Sequence, residues 1–188
     1  MGDLSSALCI LRPVLMVAGK VFKSVRCNSI YGICVPAKAG KSMFIDSISV
    51  SDNYLLLDLE RNLELTMSTE DAQRLNALKG TASYQIHAYP IYKRYFDEIV
   101  KNYRRKSILV FSSDLRLMAY LNIKKTYTYI PSNSLADVMR ANLQEHDAKL
   151  FTDSRLELLL NAKKMISYNS FDDLQKAIQT KFKLQVKL

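Results

Sequence analysis

The chain has 188 residues, 48% apolar, 24% charged and 10% aromatic, which suits one globular body with its own core; 5 Gly and 4 Pro are too few for a collagen-like or low-complexity polymer. Lys and Arg number 27 against 18 Asp and Glu, and the resulting formal charge of +9 attracts polyanions of any kind without choosing among them. Cys9, Cys27 and Cys34, with His87 and His146, fall in no metal-ligand or disulfide spacing, so a reducing, cytoplasmic setting is expected.

Residues 1–28 read as an N-terminal segment ahead of a domain over 29–188. The longest apolar stretch there, Ala7 to Ala18, is interrupted by Arg12 and Pro13 and falls short of a membrane span. The Met-Gly-Asp start lacks the basic opening of a signal peptide. Met1 to Ser6 fits the Met-Gly-x-x-x-Ser pattern for myristoylation of Gly2, with Cys9 placed for a second acyl chain and Lys20, Lys23 and Arg26 for anionic lipid. Stable anchoring takes two such signals, so an ordinary packing or partner-associated segment is the simpler reading.

Ser29 to Val35 is an apolar run of strand formers, followed by a loop, Pro36 to Gly40, and a helical pattern from Lys41 to Ser49 carried by Phe44, Ile45 and Ile48. Asn53 to Leu59 reads as a strand buried on both faces. Ser68 or Thr69 followed by Glu70 and Asp71 marks a helix start, and Gly80 ends that helix. A second helix is expected from Tyr84 to Arg105, with a bend at Pro90. Ser107 to Phe111 is a third strand, followed by a short helix through Leu115, Met118 and Leu121. Thr126 to Ile130 is a fourth strand, stopped by Pro131. Helices are expected over Leu135–Gln144 and Ser154–Asn161. Lys164 to Tyr168 is a fifth strand, and Ser170 with Asp172 and Asp173 opens a last helix to Phe182. Apolar strands alternating with helices predict a three-layer α/β/α domain on a mostly parallel five-stranded sheet.

Ligands of such sheets sit beyond the carboxyl ends of the strands. The loop after the first strand reads Val35-Pro36-Ala37-Lys38-Ala39-Gly40-Lys41-Ser42. It resembles the P-loop, and more closely the form found in nucleotide and nucleoside monophosphate kinases. Gly40, Lys41 and Ser42 match. Val35 replaces the first glycine, Lys38 the middle one, and Pro36 comes one place early. The later stretch Arg155-Leu156-Glu157-Leu158, then Asn161 to Leu174, is similar to the ending of those kinases, where an Arg-bearing lid helix precedes "A-x-x-V-I-x-N" and "S-x-x-E-L".

The resemblance implies a three-layer kinase fold that uses ATP and Mg²⁺. Residues 36–42, namely Pro36, Ala37, Lys38, Ala39, Gly40, Lys41 and Ser42, would cradle the phosphates, Lys41 supplying the cation and Ser42 a ligand to Mg²⁺. Asp58 and Glu60, two apart at the second strand's end, share a face. They are similar to the acidic pair placed near the acceptor hydroxyl or the metal; a solvated strand end is the plain alternative. Asp114 follows the third strand and is a candidate metal ligand, although Ser113-Asp114 also reads as a helix N-cap. Arg155, and less directly Arg140, stand where lid arginines hold the transferring phosphoryl group.

These features lead to an ATP-dependent phosphotransferase acting on a nucleotide or other small hydroxyl or phosphate acceptor. A nucleotide-binding protein without turnover, structural or RNA-binding, is the alternative. The runs Lys101 to Lys106 and Lys124 to Tyr129 join positive charge to aromatics that could stack on unpaired bases, or serve as a helix end and a strand entry.

Overall fold

The computed structural model describes residues 29–48, 53–63, 66–78, 81, 83–103 and 107–185. The Gly2 pattern and the rest of the 1–28 segment lie outside these, as do Arg104, Arg105 and Lys106 of the first basic run. Among the described residues no helix is long and apolar enough to cross a membrane.

The β-branched and aromatic runs form strands β1 (Ile30–Cys34), β2 (Tyr54–Asp58), β3 (Ser107–Ser112), β4 (Lys125–Pro131) and β5 (Met165–Tyr168). They pair in parallel in the order β2-β3-β1-β4-β5. Between them lie α1 (Lys41–Ser47), α2 (Thr69–Leu78), α3 (Tyr84–Asn102), α4 (Leu115–Tyr120), α5 (Asn133–Ala141), α6 (Glu145–Asn161) and α7 (Phe171–Phe182). Successive strand residues feed opposite cores, as the period of two requires. Ile108 and Val110 of β3 join Ala88, Phe96 and Met118 from α3 and α4 on one face. Leu109 and Phe111 join Phe44, Phe151, Leu174 and Phe182 on the other. Both faces are covered, which is the three-layer architecture predicted.

Helix boundaries follow side-chain chemistry. Ser170 Oγ accepts from the Asp173 amide at 3.1 Å and opens α7. Ser68 Oγ does the same for Asp71 at 3.2 Å ahead of α2. Helix α3 ends at Asn102 rather than Arg105, and it runs through Pro90. Helix α6 starts at Glu145, nine residues before the expected Ser154. Its first half carries little apolar periodicity, with Phe151 its one buried residue before Leu158; acids in its first turn, Glu145 and Asp147, complement the helix dipole instead.

Gly32 in the central strand has a packing reason: a Cβ there would lie 2.8 Å from Thr126 Oγ1 and 3.2 Å from Met118 Sδ. The buried polar side chains among the described residues are Asp58, Ser112 and Thr128. Cys34 pairs with both Ser112 and Thr128, and Asp58 pairs with Phe111, so all three gather toward the carboxyl edge of the sheet. Buried polar groups are costly unless bonded, so this edge is where the fold carries more than packing.

Candidate phosphate-binding site

The strand β1 does not stop cleanly at Cys34. Val35 is 1% exposed and its amide donates to Ser112 O at 3.1 Å, so it continues the sheet in ordinary extended pairing. The turn begins at Pro36, whose carbonyl accepts from the Ala39 amide at 3.2 Å. Lys38, which replaces the middle glycine of the motif, takes a left-handed backbone with φ 62°. That conformation costs a residue with a Cβ about 1 to 2 kcal/mol. Gly40 is also left-handed, at φ 89°, and its carbonyl accepts the first bond of α1 from the Phe44 amide at 2.9 Å.

Other parts of the chain reach this turn. The Ala37 amide donates to Ser154 Oγ of α6 at 2.9 Å. Lys38 Nζ lies 3.1 Å from Asp147 of the same helix. The Phe171 ring, at the start of α7, lies where a Cβ on Gly40 would come within 2.9 Å. Ala39 is buried. The loop is therefore held from above by α6 and α7.

Behind the loop sits a cluster of charge. Lys41 Nζ donates to Asp58 Oδ1 at 2.8 Å and to Glu60 Oε2. Ser42 Oγ donates to Asp58 Oδ2 at 3.2 Å. The Lys41 side chain is 11% exposed and that of Asp58 only 1%, so this pairing takes place largely out of water. Asp58 is fixed further by the Arg61 amide, 3.3 Å from Oδ1, while its own amide donates to Asn62 Oδ1 at 2.8 Å.

The strand-face account of Asp58 and Glu60 needs correction. Glu60 lies past the end of β2, in a π-helical turn, Leu59–Leu63. The wider winding of that turn, anchored by fully buried Leu59, brings Glu60 beside Asp58 at Lys41. Glu60 Oε1 also accepts from Ser112 Oγ at 2.7 Å, the Ser113 amide at 2.8 Å and Ser113 Oγ at 3.1 Å. Sequence reading named Glu60 only as half of an acidic pair and missed Ser112 and Ser113 as its partners; a Ser-Ser pair directly after a buried strand was the available signal.

Asp114 takes the N-cap position of α4, Oδ1 accepting from the Leu117 amide at 2.9 Å, and Oδ2 accepts from Tyr89 Oη at 2.5 Å. The carboxylate that meets Ser42 is that of Asp58, so the structure joins Ser42 to a different acid from the one read as its metal partner. Burial, then the bond to Asp114, pushes the Tyr89 phenol up. Burial, then the Asp114 charge, raises the Glu157 carboxyl, with Arg116 opposing. The Cys34 thiol, at the end of β1, is also pushed up, chiefly by burial and next by Asp114.

Arg155 donates to Pro131 O at 3.2 Å and to Asn133 Oδ1 at 2.7 Å, and Arg140 pairs with Asp137 at 3.0 Å. Both line a cavity of about 390 Å³ with Phe151 and Leu159, between α5 and α6. It is Ser154, next to Arg155, that touches the loop. The aromatics of the second basic run are used inside the fold: Tyr129 is fully buried, and Tyr127 packs on Phe182 with Lys181 Nζ 4.7 Å above its ring.

A parallel sheet in the order β2-β3-β1-β4-β5, with a Gly-Lys-Ser turn between its central strand and the next helix, is the arrangement of the P-loop kinase fold. A shikimate kinase from Bacteroides thetaiotaomicron superposes with a TM-score of 0.51 over 83% of this chain and 99% of its own, at 11% identity. A shikimate kinase from Acinetobacter baumannii, in complex with shikimate, gives 0.44 over 85% and 95%, at 16% identity. The likeness to the Bacteroides protein is one of fold. No family model matches the chain. No curated protein matches it either.

Proposed function

We propose that the chain is an ATP-dependent phosphotransferase acting on a nucleotide or another small acceptor bearing hydroxyl or phosphate. The observation that carries this reading is the Lys41, Ser42 and Asp58 cluster directly behind the turn after β1. It combines a cation, a hydroxyl and a buried carboxylate, and hard oxygen donors of this kind suit Mg²⁺. In this reading Ser42 and Asp58 hold the metal, in place of the Ser42 and Asp114 pair read from the sequence. The metal would offset phosphate charge. Lys41, turning from its carboxylates, meets the remaining negative charge, and the backbone amides of Lys38, Gly40, Lys41 and Ser42 orient the phosphates. Arg155 contributes to transfer if its guanidinium leaves Pro131 and Asn133. Such chemistry needs positioning and electrostatics rather than a covalent intermediate.

The test joins binding to turnover. At a hundredfold excess over its Kd, MgATP should stabilise the fold by about 2.7 kcal/mol, and Lys41→Ala should abolish the resulting rise in melting temperature. Labelled phosphate should move to one member of a panel of nucleoside monophosphates, nucleosides and small hydroxy acids. A second reading, nucleotide binding without turnover, is favoured by the bonds that engage Arg155 with Pro131 and Asn133 and Arg140 with Asp137. It predicts the thermal shift with no product. Absence of both signals removes the two readings together.

A further inference from the structure

We infer that Glu60 is a positioning residue that couples the Lys41 ammonium to the Ser112–Ser113 turn, so that the charge at the loop is set by the end of a strand that does not carry it. The inference rests on the phosphotransferase reading for its catalytic consequence; the coupling stands on geometry alone. An ionised carboxylate offers about four lone-pair sites. On Glu60 the two oxygens divide the work: Oε1 is filled, accepting from Ser112 Oγ, the Ser113 amide and Ser113 Oγ, at 2.7, 2.8 and 3.1 Å, and Oε2 accepts from Lys41.

A carboxylate with one oxygen on a strand end and the other on an ammonium is placed as a strut between them. Asp58 differs, because it shares its oxygens between Lys41, Ser42 and a local turn. The chain of contacts extends past Glu60. Ser112 Oγ accepts from the Asp114 amide at 3.0 Å, and Asp114 in turn caps α4 and accepts from Tyr89 of α3. Lys41 is thereby tied through one carboxylate to the carboxyl end of β3 and to the helices packed there. Ser112 is fully buried, so its hydroxyl has no water to fall back on when Glu60 is removed.

The experiment reads Lys41 directly. Purified protein is treated with a limiting amine-acetylating reagent, and acetylation at each lysine is followed by peptide mass spectrometry, with Lys38 as the internal reference. The Lys41 nitrogen must leave both carboxylates to react. Glu60→Gln keeps an oxygen for the serines but turns an amide toward Lys41; it should raise the Lys41 rate by about tenfold, the scale of coupling between groups in one network. Ser112→Ala, which removes one donor to Glu60 Oε1, should raise it by about threefold in the wild-type background and by almost nothing added to Glu60→Gln.

That non-additivity is the signature a merely structural role would not give. Lys41 rates equal to wild type in both folded variants, or effects that simply multiply, overturn the inference. Coupling in the labelling assay with no phosphoryl transfer by the wild type leaves it standing and removes the phosphotransferase reading instead. Where transfer is seen, Glu60→Gln should lower kcat more than it changes KM for ATP.

Discussion

Gly40→Ala tests the geometry of the loop without touching a charged group. The backbone there has φ 89°, where a Cβ costs about 1 to 2 kcal/mol. The added methyl would also lie 2.9 and 3.0 Å from two carbons of the Phe171 ring, and such overpacking adds about 1 kcal/mol or more. Part is returned because alanine restricts the unfolded chain more than glycine does, about 0.4 to 1 kcal/mol. The balance is a loss of about 2 kcal/mol, and for a chain of this length that lowers the melting temperature by about 4 to 8 °C. Circular dichroism melts and urea titration would read it. The two causes separate in a cycle with Phe171→Ala: with the ring gone, Gly40→Ala should cost about 1 kcal/mol less. An undiminished cost in that background would refute the contact, and no cost in either would refute the left-handed turn.

Three further outcomes are expected. Lys41→Ala leaves the Asp58 carboxylate, 1% exposed, without its cation, and urea unfolding should show a loss of about 3 kcal/mol that Asp58→Asn in the same chain largely restores. Asp71 accepts from Tyr95 Oη and Ser68 Oγ and pairs with Arg94; the Tyr95 bond is the largest cause holding its carboxyl below the ordinary range. A lowered folded value stabilises above the unfolded value near 4 and loses that contribution as pH falls through the folded value, so the destabilisation by Asp71→Asn should be full at neutral pH and vanish in acid melts. Ser154→Ala frees the Ala37 amide from its side-chain partner and should enlarge the melting shift produced by MgATP, whereas a smaller shift would mean that Ser154 supports the loop in its binding form.

The periodicity of two and of 3.6 was enough to find the strands and most helices, because each buried strand carries its own apolar record, as Ile108 to Phe111 does on both faces of β3. Helix α6 escaped in its first half because a helix over a polar turn need not show an apolar stripe. The Gly-Lys-Ser turn and Asp58 were legible as chemistry because residue type and spacing are local properties. Lys38 was read as a departure from glycine, and it adopts the left-handed backbone that glycine takes most readily.

What no local pattern contains is which distant group meets which. The Ser154 hydroxyl and the Ala37 amide are 117 positions apart, and Glu60 and Ser113 are 53 apart. The primary structure therefore determined the layered α/β architecture and the candidate loop. Folding alone decided that Lys41 lies between two carboxylates, that Asp58 rather than Asp114 meets Ser42, and that α6 and α7 close over the turn, because hydrogen bonds and ion pairs depend on separations of about 3 Å that only the assembled sheet and helices set.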